Sequence, residues 1–207
     1  MMDLTYTLIT DGSSDRVLIP IINWALDQID GVRYASQHAE ITLRPSAGLL
    51  LRAESAIKYY ECDVLFVHRD AESLSIKSRI EEIQNQLVKL NKPYIPVVPI
   101  RMTEAWLLVD EQAIRSAASN PNGKVKLNLP EVNSLEGLAD PKSVLFENLK
   151  LASELPSGRL RKFRPEVCRH RVAELISDFS QLRNLSAFVH FENSLIESIQ
   201  ALAGSAL

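Results

Sequence analysis

Carboxylates follow several short apolar runs of this 207-residue chain. Asp11 closes the run LTYTLIT, and Asp15 stands four residues later. Asp70 follows the run VLFV across His68 and Arg69, with Glu72 two residues on, and Glu104 comes shortly after YIPVVPI. Converging oxygen donors suit Mg²⁺ or Mn²⁺, hard cations that keep several of their waters. Without a cation, so many like charges in one crevice repel and force some carboxyl pKa values up. Each acid also has an ordinary use. Asp11-Gly12 is a common turn pair, Asp15 and Glu72 suit a first helical turn, and Glu104 can begin a helix. Asp70 is hardest to explain that way, because it directly follows a buried-looking strand beside His68 and Arg69. The shared position of these acids at the ends of apolar runs favours joint chemistry over separate local roles.

The elements that must position them follow from periodicity. Residues 4–10 are β-branched and apolar and end at a turn pair, as a strand does. Ser13 and Ser14 offer a helix cap, and Val17, Leu18, Ile21, Ile22 and Leu26 recur at helical spacing. Pro20 sits early in that helix and is expected to distort its start. Residues 39–43 (AEITL) alternate and predict a second strand, and 50–60 predict a helix. Residues 64–67 (VLFV) are apolar throughout, the pattern of a parallel strand covered on both faces. Ser73 or Ser75 can cap an amphipathic helix reaching about Leu90, with Ile76, Ile80, Ile83 and Leu87 on one stripe. Residues 94–100 (YIPVVPI) predict a strand, and Pro96 and Pro99 place it at a sheet edge because they cannot donate to a ladder.

This strand–helix alternation predicts an α/β fold: an open, mostly parallel, Rossmann-like sheet with helices on both faces. Beyond Arg101 the pattern turns helical, with helices expected over 104–118, 141–152, 165–177 and 186–202. The expected division is an α/β core over 1–118 and a helical extension over 119–207 packed on it. In open sheets of this kind ligands bind beyond the carboxyl ends of the strands, where the acids fall.

Composition sets the class. The chain carries 23 Lys+Arg against 26 Asp+Glu, a net charge of −3, which excludes a uniformly basic nucleic-acid binder but not a local basic patch. With 46% apolar and 24% charged residues, general disorder is excluded. Cys62 and Cys168 form no CxxC pair, so neither a zinc ribbon nor a disulfide framework is expected. A reduced, cytoplasmic protein is the simplest reading. No Lys or Arg precedes Arg16 and the first apolar run breaks at Asp11, unlike a signal peptide. No run approaches the ~18 apolar residues of a membrane span, so no membrane partner is expected.

Four stretches resemble one family. Asp11-Gly12-Ser13-Ser14-Asp15, after an apolar strand, resembles the first Toprim motif, in which a strand ends at Glu-Gly. His68-Arg69-Asp70-Ala71-Glu72, after a second apolar strand, resembles the Toprim Asp-x-Asp motif. Thr103-Glu104-Ala105-Trp106-Leu107-Leu108 is similar to the Glu-x-Trp-Leu-Leu stretch of standalone bacterial Toprim-like proteins, and Asp140-Pro141-Lys142 is similar to their C-terminal half. Those proteins occur in restriction and defence loci, often beside an ATPase. In Toprim enzymes the first-strand Glu is the general acid/base and the Asp-x-Asp pair holds Mg²⁺. The resemblance therefore implies a role for Asp11 at the Glu position. The second motif allows either His68 and Asp70, or Asp70 and Glu72, as the pair; the strand ends directly before His68, which favours the first. Asp11 is one methylene shorter than Glu and His68 is softer than carboxylate, a set that would fit Mn²⁺ or a non-catalytic relative.

The expected function is a Mg²⁺- or Mn²⁺-dependent nuclease of a bacterial defence system. Its catalytic residues would be Asp11, Asp70 and Glu104, and its metal ligands would come from Asp11, Asp15, His68, Asp70 and Glu72. The alternative is a non-catalytic subunit that binds nucleic acid or an ATPase partner through its helical half. Residues 159–171 (RLRKFRPEVCRHR) hold six basic residues, Arg159, Arg161, Lys162, Arg164, Arg169 and Arg171, against one acid. Such a run can contact phosphates and bring a polyanion to an acidic crevice, although a solvated surface has the same composition. His38 and His190 are expected to be structural, and Trp24 and Trp106 to be core. Neither a Walker loop nor a GxSxG, HExxH or zinc spacing is present.

Overall fold

The computed structural model describes residues 1–40 and 45–205. The first apolar run forms β1 (Met2–Ile9), followed by a 3-10 turn (Ser13–Val17), α1 (Leu18–Asp27) and β2 (Val32–His38). Next come α2 (Leu49–Tyr59), β3 (Val64–His68), α3 (Ile76–Leu87) and β4 (Tyr94–Val97). All strand pairs are parallel, and the four-stranded order is β2-β1-β3-β4. The chain thus crosses from β1 to one side for β2 and returns to the other side for β3. That reversal opens a crevice at the carboxyl ends of β1 and β3. Right-handed crossovers in opposite directions put α1 on one face and α2 and α3 on the other.

Side chains alternate accordingly. Leu4, Tyr6 and Leu8 of β1, with Val64 and Phe66 of β3, join Leu18, Ile21, Ile22 and Leu26 of α1 in one core. Ile9, Leu65 and Val67 face the other way and pack with Ala53 and Ala56 of α2 and Ile83 and Leu87 of α3. The period of two explains why VLFV is apolar at every position. β4 is an edge strand, and it tolerates Pro96 there.

The C-terminal half supplies α4 (Glu111–Ala117), α5 (Pro141–Ser153), the short α6 (Ser157–Leu160), α7 (Pro165–Leu175) and α8 (Ser186–Ser205). It packs on the α1 face. Trp106 is 1% exposed and meets Phe188 edge to face, with ring centroids 5.5 Å apart. Phe191 of α8 sits 6.3 Å from Phe66 of β3, so one apolar cluster spans the sheet and the helical half. Among the described residues, no helix is long and apolar enough to cross a membrane.

Several expected elements shift. The second strand was expected over 39–43, but β2 precedes it. Ala39 and Glu40 lie beyond the strand, and 41–43 fall outside the described residues. β2 is an exposed edge strand of polar composition, so it lacks the apolar alternation that marks buried strands. The helix expected over 104–118 is split into a 3-10 turn (Thr103–Leu107) and α4, because the Asp110 side chain accepts the Ala113 N–H at 2.9 Å and starts a new helix. Ser13 and Ser14 cap nothing and lie inside the 3-10 turn that precedes α1, whose first turn contains Pro20. Ser75, not Ser73, caps α3: its Oγ accepts the Ser78 N–H at 3.1 Å. Ser75→Ala is expected to lower stability by about 1 kcal/mol, measured as an unchanged denaturant slope with a lower midpoint. An unchanged midpoint would mean the cap contributes nothing.

Candidate active site

Parallel register brings the strand ends together. Ile9 pairs with Val67 and His68 with Val97, so the loops after β1, β3 and β4 leave from one edge. A pocket of about 180 Å³ opens there, lined by Asp11, Asp15, His68, Arg69, Asp70, Glu72 and Arg79. The first-strand and second-strand motifs therefore meet in one crevice.

His68 is the most buried side chain lining it. The residue is 2% exposed, and Nδ1 lies 3.1 Å from the carbonyl oxygen of Val97. A carbonyl only accepts, so Nδ1 carries a proton, and in the neutral ring Nε2 presents its lone pair to the pocket. Nε2 is 3.8 Å from Asp15 Oδ2 and 3.7 Å from Asp70 Oδ1. Thr103 Oγ1 donates to Asp70 Oδ1 at 3.3 Å and lies 3.4 Å from His68 Nε2. Burial pushes the Asp70 carboxyl up to about 6; the neighbouring acids Asp15 and Glu104 push the same way, and His68 and the Thr103 hydroxyl oppose them. The loops after β3 and β4 are held in left-handed backbone at Glu72 (φ 53°) and Arg101 (φ 64°). Such positions cost on the order of 1 kcal/mol or more each in non-glycine residues and often lie beside functional crevices.

The other predicted acids are committed elsewhere. Asp11 lines the pocket, yet its carboxylate accepts Arg52 Nη1 at 2.5 Å and Arg69 Nε at 3.3 Å. Glu72 is a rim residue, its side chain 75% exposed and 3.5 Å from Arg79. Glu104 does not line the pocket. Its carboxylate is buried against Arg169 of α7, with Nη1 2.5 Å from Oε1. Expected among the catalytic residues, Glu104 lies outside the pocket, ties the crevice to the helical half and acts on Asp70 only through its charge.

The basic run divides. Arg159, Arg161, Lys162, Arg164 and Arg171 are exposed and carry no side-chain hydrogen bond or ion pair among the described residues. Arg169 must be removed from that phosphate-facing set, because it is 7% exposed and spent on Glu104.

Sequence reasoning overlooked Thr103, and the ion network in which Glu82 of α3 accepts Arg69 and Arg79, each at 2.5 Å. Thr103 lies 33 residues from Asp70 and Glu82 lies 13 from Arg69, and only the neighbouring Glu104-Ala105-Trp106 stretch drew attention to Thr103.

The donors can be tested against a divalent cation. Two ligands, each about 2.1 Å from one ion, lie at most about 4.2 Å apart, and both distances from His68 Nε2 fall within that. The second ring nitrogen bonded to a carbonyl is the arrangement that orients ligating imidazoles. Among the described residues no group of three or more His, Cys, Asp or Glu side chains is gathered to hold a metal. Mg²⁺ and its relatives commonly bind through one or two carboxylates plus waters and substrate phosphates, so the set fits a cation that substrate helps to hold.

No family model, curated protein or solved structure matches the chain. Fold and site define an open, all-parallel α/β sheet with a histidine–carboxylate pocket at its topological switch point.

Proposed function

We propose that this protein is a Toprim-like, divalent-metal-dependent enzyme acting on phosphodiester bonds, a nuclease of a bacterial defence system working in the reducing cytoplasm. The observation that carries the reading is the meeting of Asp15, His68 Nε2 and Asp70 at the crevice between β1 and β3. Asp15, Asp70 and His68 Nε2 would hold Mg²⁺ or Mn²⁺. A cation held there would stabilise charge on a phosphoryl oxygen and lower the pKa of water. The chain does the rest. The Val97 carbonyl fixes the His68 tautomer, and Thr103 orients Asp70. Arg69, on its long bond to Asp11, offers a guanidinium to a substrate phosphate. Release of that bond frees Asp11 Oδ2 to accept a proton from the attacking water. The exposed basic residues of α6, α7 and the turn between them would hold the polyanion.

Purified protein should cleave single- or double-stranded DNA or RNA in Mn²⁺ or Mg²⁺ and not in chelator, and Asp15→Asn should abolish the cleavage. Absence of cleavage of every nucleic acid with either metal would reject the enzyme. The second reading, a non-catalytic subunit that binds nucleic acid or an ATPase through its helical half, is favoured by the engagement of Asp11 and Glu104 with arginines.

The basic face makes a separate prediction. Replacing Arg161, Lys162 and Arg164 together with Ala should weaken oligonucleotide binding and flatten its salt dependence by about 0.9 in log–log slope for each phosphate no longer neutralised. These residues are exposed, so the melting temperature should stay put. Unchanged affinity and slope would make the run a solvated surface.

A further inference from the structure

His38 and His170 do not behave as packing residues. They line a second pocket of about 180 Å³ with Arg16, Ser36 and Glu174. His38 ends β2 and His68 ends β3, on opposite sides of β1. Asp15 and Arg16 are consecutive and line one pocket each, so the two pockets adjoin across the 3-10 turn (Ser13–Val17).

The chemistry of this second pocket is that of hydrogen-bond donors. Arg16 is exposed and has no side-chain ion pair or hydrogen bond among the described residues. Among the described residues His170 has none either, and the His38 ring has one hydrogen-bond partner, Thr10 Oγ1, at 3.0 Å. Burial, then the positive charges of Arg16 and Arg169 respectively, hold the His38 and His170 rings below the usual histidine range. Neutral His170 keeps one N–H to donate, whereas Thr10 gives its hydroxyl hydrogen to the Gly12 carbonyl at 2.6 Å, so the His38 Nε2–H is already donated to Thr10. The Arg16 guanidinium, the His170 imidazole and the Ser36 hydroxyl stand against Glu174, the one acid lining this pocket among the described residues. His170 also belongs to the basic run. α7 packs on the 3-10 turn, so the exposed arginines of α6 and α7 lie on the segment that delivers His170 to this pocket.

We propose that Arg16 and His170, beside the His38 ring that walls the same pocket, bind a backbone phosphate of a nucleic-acid strand, the neighbour of the phosphate that enters the Asp15–His68–Asp70 pocket. This rests on the phosphodiester reading above for the role of the first pocket and names the substrate as a strand of several phosphates. Mononucleotide esters and small phosphate monoesters would fill only one pocket and make poor substrates.

The test uses the full-length protein with ¹³C-labelled histidine in chelating buffer, so that binding is separated from cleavage. A ten-nucleotide single strand should shift the ring signals of His38 and His170 together and saturably. His190, on α8 beside a separate groove, should stay still. Arg16→Gln should weaken the strand's affinity about tenfold. Stationary His38 and His170 signals at saturating strand, no binding of the strand, or an unchanged affinity in Arg16→Gln would each overturn the proposal. Inorganic phosphate that shifts both rings as tightly as the strand does would assign the pocket to a free anion and overturn it as well. Cleavage measured in parallel keeps the two readings apart. Ring shifts without metal-dependent cleavage leave the phosphate pocket standing and reject the enzyme, whereas cleavage without ring shifts does the reverse.

Discussion

Arg169→Met should be among the most damaging single substitutions in this chain. The Arg169–Glu104 pair joins α7 to the turn after β4, with side chains only 8% and 6% exposed. Removing the guanidinium leaves a carboxylate buried without its partner, which costs about 3–5 kcal/mol. At roughly 2–4 °C per kcal/mol for a chain of this size, the melting temperature should fall by about 6–20 °C. Replacing both residues with apolar ones, Arg169→Met with Glu104→Leu, should recover most of the loss, because apolar packing removes the stranded charge. Glu104 also bears on the crevice, where its charge helps to raise the Asp70 pKa. Glu104→Gln should therefore move the Asp70 titration toward the ordinary carboxylate range, a shift read by ¹³C NMR of the aspartate carboxyls. A melting temperature within 2 °C of the parent in Arg169→Met, a margin on the order of 1 kcal/mol, would show that the pair is not holding the two halves together.

Asp70→Asn should separate stability from chemistry. The Asp70 carboxyl titrates near 6 in the fold against an ordinary 3.8, so the unfolded chain releases this proton first as pH rises. The contribution of this group to stability is then fully present below about 4, is lost as pH rises to about 6 and stays lost above that. At 1.36 kcal/mol per pH unit the loss is about 2–3 kcal/mol, taken at the low end because the side chain keeps 28% exposure. Asparagine removes the ionisation while preserving a partner for Thr103. In metal-free buffer at pH 7–8 the variant should be more stable than the parent, and below pH 4 the two should converge. Metal-dependent cleavage should drop by at least about 10²-fold, the scale of losing one preorganised charge at a reacting centre. Lower stability of the variant at pH 8 would mean that the ionised Asp70 carboxylate is favourably paired instead.

What the sequence revealed and what it hid have physical causes. β3 was legible because both its faces are covered, which demands four consecutive apolar residues, and α3 because its stripe repeats every turn. β2 was not, since an exposed edge strand needs neither apolar faces nor alternation. In the crevice, Asp70 and His68 announced themselves by ending a buried strand. The fates of Asp11 and Glu104 were hidden, because each depends on an arginine from a distant segment: Arg52 lies 41 residues from Asp11, and Arg169 lies 65 residues from Glu104. His170 was legible only as part of a basic run; its place beside Arg16 and His38 comes from the packing of α7 on the 3-10 turn.

The proposed activity stands on Asp15, His68 and Asp70 binding one divalent cation together. A crystal of the full chain soaked in millimolar Mn²⁺ tests this, with the anomalous difference map as readout. One ordered peak is expected within about 2.0–2.3 Å of His68 Nε2 and of at least one of the two carboxylates, and it should be lost in Asp70→Asn. A map with no peak in the crevice, or with Mn²⁺ ordered only elsewhere on the molecule, would contradict the shared cation site.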